Sequence, residues 1–257
     1  MVRVSIYNEK GGVGKTTVTV LLASYLSYVH GRGVCVLDFD YPAFHLRQLR
    51  MAEQEILRDP RSPLALWMKG NPPSGEPYDV FCLPPGPGGV WLHEELFPYL
   101  ENIFAQGYDY VLYDFPGRFA PEEPVSLVAA NGYLDFVAIP MDTDAQSRRS
   151  ALVVADALRR AEVPVCLFWN RVSLAESKGD GSRFRRGAAP FLERGFEVMD
   201  ESLRDIRKIS RDGTEMAFIR STLCFPGRYV NMWNPAIIPF LEALKGRIDG
   251  SLKAPRQ

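Results

Sequence analysis

The sequence lacks the features of a disulfide-stabilised, zinc-binding or membrane-spanning protein. Only four cysteines occur in 257 residues, and no two are close enough to form the CxxC pairs of metal or redox motifs. No apolar run approaches the length needed to cross a bilayer. Cys35, Cys82 and Cys166 each lie between apolar residues, so we predict buried, reduced thiols in strands and a cytoplasmic protein.

A large charge of either sign is also missing. The formal net charge is -1, from 30 Lys and Arg against 31 Asp and Glu. Residues 129–257 hold 20 of the basic and 16 of the acidic residues, which leaves 10 and 15 for the first half. Net charge therefore does not demand nucleic acid or membrane, although a locally basic surface fits the second half. Because residues 2–8 lead straight into a glycine-rich loop, we expect no signal peptide.

Short apolar segments alternate with longer amphipathic ones along the whole chain. This alternation predicts an α/β fold, with a doubly wound, mainly parallel sheet flanked by helices, in a single domain over residues 1–257. Predicted strands are Val2–Asn8, Val34–Asp38, Val80–Leu83, Tyr110–Asp114, Phe136–Pro140 and Val163–Asn170. Predicted helices are Thr16–His30, Trp91–Gln106, Asp144–Ala161, Ala188–Arg194 and Asn234–Ile248. Predicted loops are Asn71–Gly89, around one short strand, and Ser173–Gly187.

The strongest motif lies between the first predicted strand and the first predicted helix. Residues 8–17 read Asn-Glu-Lys-Gly-Gly-Val-Gly-Lys-Thr-Thr, a phosphate-binding loop of the P-loop type. In such a loop the backbone N–H groups and the helix N-terminus bind the phosphates of ATP. A lysine neutralises the β- and γ-phosphates, and a hydroxyl ligates Mg²⁺. The nucleotide-binding residues are therefore predicted to be Gly11, Gly12, Val13, Gly14, Lys15, Thr16 and Thr17, with Thr16 also a metal ligand.

This loop departs from the ordinary pattern in two positions. Glu9 stands where a glycine is usual, and a second lysine, Lys10, begins the loop. In this form it resembles the deviant Walker A motif of the ParA/MinD family of P-loop ATPases, and is most similar to the ParA-type partition ATPases. Further blocks resemble the family in the same order, at Val36–Asp40, Tyr110–Pro116 and Phe168–Arg171.

The resemblance implies roles for residues in these blocks. Lys10 would reach across a nucleotide-sandwich dimer to the partner's phosphates and act with Lys15 in catalysis. Asp40 would position the attacking water, although Tyr41-Pro42 follows it where the family often has Pro-Gln. The remaining implied roles are Mg²⁺ binding by Asp38 and Asp114, and contact with the base by Asn170 and Arg171. Simpler alternatives are a salt bridge from Lys10 to Glu9, a helix cap for Asp40, and turn positions for Asp114 and Asn170.

The implied function is an ATPase that dimerises on MgATP, binds DNA without sequence preference and segregates or positions DNA cargo with a ParB-like or adaptor partner. Such a protein would be cytoplasmic and associated with the nucleoid. The arginine-containing stretches 183–186 and 204–211 could contact DNA phosphates, but acidic residues among them fit a solvated surface equally well.

Other branches of the family are alternatives. A membrane-associated, MinD-like positioning ATPase would end in a basic amphipathic helix. Asn234–Ile248 is amphipathic, yet its apolar side is expected to pack on the core, so we expect no stable membrane insertion. An iron–sulfur protein of the nitrogenase type is excluded, because no cysteine lies between Asp114 and Cys166. A related tyrosine kinase would need a C-terminal tyrosine cluster, and Tyr229 stands alone. A metabolic ligase that shares the fold stays open.

Overall fold

The fold was analysed in a computed structural model that describes residues 1–70, 72–117, 120, 123–173, 176, 182–204 and 237–251. In these residues the strands are β1 (Val2–Ile6), β2 (Val34–Asp38), β3 (Asp79–Cys82), β4 (Tyr110–Asp114), β5 (Phe136–Met141), β6 (Val165–Trp169) and β7 (Glu197–Val198). The helices are α1 (Lys15–Ser24, continued by a π-helical turn over Tyr25–Val29), α2 (His45–Arg58), α3 (Pro63–Gly70), α4 (His93–Phe104), α5 (Pro124–Ala130), α6 (Ala145–Arg160), α7 (Ser182–Leu192) and α8 (Ile237–Ser251).

All seven strands pair in parallel, in the order β3-β2-β4-β1-β5-β6-β7. Helices α1 and α8 pack on one face of the sheet, and α4, α5, α6 and α7 pack on the other. Every residue of β2, β4 and β5 is buried, as expected for strands that are covered on both faces. The predicted doubly wound sheet is thus confirmed.

The predicted segments match the structure unevenly. The bounds of β2 and β4 are confirmed, and the other predicted strands differ by one or two residues at one or both ends. Helices α2, α3 and α5 and the short strand β7 were not predicted. The loop predicted at Ser173–Gly187 is wrong from Ser182 onward, because α7 begins there and continues to Leu192. The predicted start of the last helix, residues 234–236, lies outside the described residues.

The interior side of helix α2 is partly polar. Its buried residues are Leu46, Arg50 and Glu53, so two of the three positions that face the interior carry charge. Arg50 and Glu53 form a buried ion pair, and the Arg50 guanidinium also donates to the Tyr28 hydroxyl at 3.0 Å. Apolar residues still recur along the same helix at Leu46, Leu49, Ile56 and Leu57, so the periodicity used to predict helices was present but was not recognised.

The three cysteines in the described part of the chain are free thiols within or at the edge of the core. Cys35 and Cys166 are buried, Cys82 is half-buried, and all three are free thiols. Burial raises the pKa of the Cys35 and Cys166 thiols, which keeps them protonated and unreactive. Cys224 lies outside the described residues. None of the helices that the structure describes is long and apolar enough to cross a membrane.

Candidate nucleotide-binding site

The predicted site residues converge at the carboxyl ends of three neighbouring strands. The phosphate loop follows β1, Asp38 ends β2, and Asp114 ends β4. The register of β2 and β4 places Asp38 directly beside Asp114. Because the strands are parallel, their carboxyl ends lie at one edge of the sheet, where doubly wound folds bind their ligands.

Residues 11–14 adopt a backbone shape that depends on glycine. Gly12 and Gly14 have φ of 75° and 90°, values that glycine adopts without strain. A Cβ at Gly14 would lie 2.5 Å from Nδ2 of Asn170, so any side chain there would collide with that amide. Helix α1 then begins at Lys15, with its N-terminus directed at the loop.

The end of β6 holds the loop from the other side. Asn170 donates from Nδ2 to the Val13 carbonyl at 2.7 Å, and Arg171 donates from Nη1 to the Gly12 carbonyl at 2.8 Å. A planar peptide directs its N–H opposite to its C=O. With these two carbonyls bound to residues 170 and 171, the N–H groups of Val13 and Gly14 face away from β6 and are available to an anion. The structure thus brings Asn170 and Arg171 to the loop, and their predicted contact with a base stays a prediction.

Asn8 anchors the start of the loop and was missed as a site residue. It is fully buried and donates from Nδ2 to the Pro140 carbonyl at 2.7 Å. Its Oδ1 accepts from the Lys10 N–H at 3.0 Å and from the Ser150 hydroxyl at 2.6 Å. A polar residue at the end of an apolar strand is a signal for such a role, but Pro140 and Ser150 lie 132 and 142 residues away in the sequence.

Asp114 is a buried residue of the site, and Lys15 and Thr16 beside it are half-buried. Thr16 donates from Oγ1 to Oδ1 of Asp114 at 3.2 Å. Burial is the main cause that raises the pKa of Asp114 to about 7, and the neighbouring Asp38 raises it further. Burial also lowers the pKa of Lys15, against the opposing effect of the Asp114 and Asp40 charges. An ionised Asp114 therefore favours a nearby cation.

The residues present fit a magnesium ion. A hydroxyl and two carboxylates, from Thr16, Asp114 and Asp38, are oxygen donors of the type that Mg²⁺ prefers. No group of three or more His, Cys, Asp and Glu side chains in the described residues forms a complete metal cage. Mg²⁺ in nucleotide sites is usually bound by one or two carboxylates together with phosphate oxygens, which is the arrangement that these side chains permit.

Asp38 and Asp40 connect the site to the start of α2. The carboxylate of Asp38 accepts from the backbone N–H groups of Asp40 at 3.0 Å and Arg47 at 3.1 Å. Burial raises its pKa despite these bonds. Asp40 lies nearer the surface, and its Oδ2 is 2.7 Å from Nδ1 of His45. His45 and Arg47 were missed by sequence reasoning because α2 itself was not predicted.

The two lysines of the loop lie in different surroundings. Lys15 is largely enclosed, and its ammonium is 3.4 Å from the Lys10 carbonyl. The Lys10 ammonium instead donates to Oε1 of Gln146, at the start of α6, at 2.9 Å. The predicted alternative of a Glu9 salt bridge is therefore not the contact that the structure shows. Thr17 lies in the first turn of α1, beside Thr16.

Glycine at 117 allows the segment after β4 to lie directly on the phosphate loop. A Cβ at this position would be 2.8 Å from the Glu9 carbonyl oxygen and 3.1 Å from Nζ of Lys15. The β4 end and the phosphate loop are therefore in immediate contact.

Comparison with known protein families places this site in context. Residues 4–219 match the CobQ/CobB/MinD/ParA nucleotide binding domain. The chain belongs to this family. The predicted family is thereby confirmed. For this MinD/ParA-family protein, binding of nucleotide by residues 11–17 stays a prediction.

Individual relatives agree with this assignment. The chain is 33% identical over 150 residues to the chromosome-partitioning ATPase Soj of Thermus thermophilus, and the match spans 55% of each protein, about half of the relative's length. Among solved structures, the MinC:MinD complex of Aquifex aeolicus matches with a TM-score of 0.65 and 20% identity, over 96% of both chains.

The pNOB8 ParA structure also has a TM-score of 0.65, at 16% identity over 97% of this chain and 99% of that one. A structure of pNOB8 ParA bound to nonspecific DNA matches with a TM-score of 0.54, at 16% identity over 96% of this chain and 99% of that chain. At these identities the structural matches establish the fold alone.

Proposed function

We propose that this MinD/ParA-family protein is a ParA-type partition ATPase, a single domain over residues 1–257. In this proposal it binds MgATP, dimerises, associates with DNA without sequence preference, and hydrolyses ATP to segregate or position DNA cargo. The observation that carries the proposal is the convergence of the glycine loop, the Lys15 ammonium and the Thr16–Asp114 pair at one edge of the sheet. These groups are the ones that P-loop enzymes use to bind a nucleoside triphosphate with its metal.

Within that site the residues divide the work. Thr16 and Asp114, assisted by Asp38, would hold Mg²⁺, which supplies positive charge to the phosphates. Lys15 and the loop N–H groups bind the β- and γ-phosphates. Asp40 orients the attacking water, since its carboxylate is partly exposed and is held through one side-chain contact with His45. Asn170 and Arg171 lie at the side of the loop where the nucleoside would be bound.

Lys10 is the basis for proposing a dimer. Its ammonium donates to the exposed amide of Gln146 on α6. A second subunit related by two-fold symmetry would receive this charge on its phosphates, where it offsets charge that develops during transfer. ATP then forms part of the interface, so dimerisation and nucleotide binding are linked and reciprocal.

DNA binding is proposed over membrane binding for three reasons. The partition ATPase Soj is a relative with 33% identity over 150 residues, and α7 exposes Arg183, Arg185 and Arg186 on its first turns. The apolar residues of α8 pack into the core, namely Ile237, Phe240, Leu241, Leu244 and Ile248, so this helix offers no apolar face to a bilayer. Arg183 pairs with Glu176 at 2.9 Å, so part of the basic charge is already compensated. Arg207, Lys208 and Arg211 lie outside the described residues.

The partner would be a ParB-like or adaptor protein, and the protein would be cytoplasmic and associated with the nucleoid. A MinD-like positioning role is the second candidate, favoured by the match to the MinC:MinD complex.

Sedimentation velocity with and without MgATP tests the dimer. The Asp40→Ala protein should be a monomer without nucleotide and a dimer with MgATP, whereas Asp40→Ala with Lys10→Ala should stay monomeric. A single Lys10→Ala variant should also lose hydrolysis, and Lys10→Arg need not restore it, because a planar guanidinium differs in reach from an ammonium. If the Lys10→Ala protein dimerised and hydrolysed ATP normally, the proposed action of Lys10 on the phosphates of a second subunit would be wrong.

Gel shifts with mixed-sequence duplex test the DNA proposal in the same Asp40→Ala background. Binding should require ATP and should fall steeply with salt, because it depends on phosphate contacts. Absence of binding at low salt, together with ATP-dependent binding to anionic vesicles, would favour the MinD-like role instead.

A further inference from the structure

A second concave site lies between the carboxyl end of β3, the loop after it and α4. Its volume is about 270 Å³, and its walls include Leu83, Pro84, Trp91, Leu92, Glu95 and Tyr99. That volume is below the range of typical cofactor or drug pockets, so the groove suits one or two side chains. None of the residues assigned to the nucleotide site lines it.

Exposed apolar residues are concentrated at this groove. Nine large apolar side chains are exposed among the described residues, and three of them, Val90, Leu92 and Tyr99, fall within one ten-residue stretch. Glu95 and Tyr99, four residues apart, lie on one side of α4, and Leu92 lies directly before the helix begins. Exposed apolar side chains grouped beside a groove are a feature of interaction sites.

Glu95 gives the groove a charge without a partner. Its side chain forms no ion pair or hydrogen bond with the described residues, and its Oε2 would be 2.7 Å from a Cβ at Gly86. Glycine at 86 therefore allows the carboxylate to lie against the loop wall, beside apolar side chains. The Trp91 indole N–H is likewise buried without an acceptor in the part of the chain that the structure describes.

We propose that this groove docks a short peptide segment of a partner protein, in which a large apolar side chain enters the groove and a neighbouring Lys or Arg pairs with Glu95. The cation is the chemical complement of the unpaired carboxylate. A two-fold contact centred on Glu94 and Glu95 would bring them against the same acids of the second copy, and an anionic lipid surface would be repelled by them. Charge therefore favours a cationic peptide over both alternatives.

The groove adjoins the nucleotide site through its wall. The Leu83 N–H donates to the Asp38 carbonyl at 2.9 Å, and the Trp91 and Phe39 rings are 6.1 Å apart. A bound segment would therefore press on residues that contact the Asp38–Asp40 segment. The docking proposal does not rest on ATP hydrolysis, and its test omits nucleotide so that the two can fail separately.

The test is a selection from a random-heptapeptide phage library on the full chain without nucleotide. The selected peptides should be enriched in Lys or Arg beside Leu, Ile, Phe or Trp. One selected peptide, synthesised with a fluorophore, is then titrated by anisotropy against wild type, Glu95→Gln and Glu94→Gln. Glu95→Gln should weaken binding by about tenfold or more, the loss of a charge-assisted hydrogen bond. Glu94→Gln removes the same charge one residue away and should change the affinity less than about twofold.

A third variant, Tyr99→Ser, probes the apolar part and should also weaken binding. Three results would overturn the proposal. They are selected peptides without a cation, equal weakening by Glu94→Gln and Glu95→Gln, and full affinity in Tyr99→Ser. Failure to select any peptide on wild type would overturn it as well. Circular dichroism confirms that each variant is folded, as expected for substitutions at exposed positions.

Discussion

The nucleotide site has an inner side and an outer side that are built in different ways. The inner side consists of Lys15, Thr16, Asp38 and Asp114, and Asp114 is only 2% exposed. The outer side consists of Lys10, Asp40, His45 and Gln146, and the Asp40 side chain is 37% exposed. Inner residues are fixed by strand register, helix start and backbone hydrogen bonds, whereas outer residues are held by single side-chain contacts with one another.

Buried and exposed residues of the site are suited to different roles. The inner side costs stability, because it confines carboxylates whose pKa values are raised, and it is ready for a cation before any ligand arrives. The outer contacts are exposed and worth little. Nucleotide or a second subunit can therefore replace them at small cost, which suits residues that are proposed to act on water and on a partner's phosphates.

The largest expected effect comes from breaking the inner side at Lys15. Lys15→Ala should abolish measurable MgATP binding, because the loop N–H groups alone would face uncompensated phosphate charge. Isothermal titration calorimetry measures this directly. Lys10→Ala is the matched control from the outer side and should keep much of the affinity. Equal affinities of Lys15→Ala and wild type would show that this loop does not bind the phosphates.

The next effect comes from the outer side at Asp40. Asp40→Ala should bind MgATP normally but hydrolyse it about 10²–10⁴-fold more slowly, the usual range for loss of a group that orients or activates a nucleophile. Single-turnover hydrolysis gives the rate, and calorimetry gives the affinity. Asp40→Asn keeps the shape without the charge and should be nearly as slow. Unchanged single-turnover hydrolysis in Asp40→Ala would make Asp40 a structural residue.

Asp114 offers a test of the inner side by pH. Its pKa is raised from 3.8 to about 7 in the folded protein, so the folded state binds this proton more tightly than the unfolded chain does. This contribution to stability is complete below about pH 4 and is lost as the pH rises to 7. Without magnesium, Asp114→Asn should therefore be more stable than wild type at pH 8, by up to about 4 kcal/mol.

Urea unfolding of both proteins at about pH 4.5 and about pH 8 measures this difference, where the smaller difference is expected at the lower pH. A stability difference that is the same at both pH values would contradict the proposal that burying the ionised Asp114 carboxylate destabilises the folded protein. Saturating Mg²⁺ with ATP should stabilise wild type more than Asp114→Asn, because the amide of the variant cannot supply a charged ligand.

The smallest effect is expected at Asn170. This residue tests a hydrogen bond that holds the phosphate loop in place. Asn170→Ala removes the bond to the Val13 carbonyl and should lower the free energy of unfolding by about 1–3 kcal/mol. If Asn170 also reads the base, the variant should lose discrimination between ATP and GTP. Competition titrations separate the two roles, and unchanged selectivity with lowered stability would leave only the supporting one.

The sequence was sufficient to predict features that depend on neighbouring residues. Continuous apolar runs predicted β2 and β4 with their observed bounds, and the glycine loop predicted where Lys15 and Thr16 lie. It was insufficient where distant segments complete a structure. At the interior of α2, the Arg50 guanidinium donates to the Tyr28 hydroxyl, 22 positions earlier in the sequence. The bonds of Asn8 to Pro140 and of Arg171 to Gly12 join residues that are 132 and 159 positions apart, and no local pattern encodes them.

The contact between Gly14 and Asn170 limits how this chain can change. A side chain at position 14 would occupy the space that the Asn170 amide fills, and a shortened residue 170 would leave the Val13 carbonyl without its donor. Neither position can vary without altering the constraint on the other, so their substitution effects should not add. The set of residues that must change together is consequently larger than the ten-residue motif at positions 8–17, because it includes two residues at the end of β6.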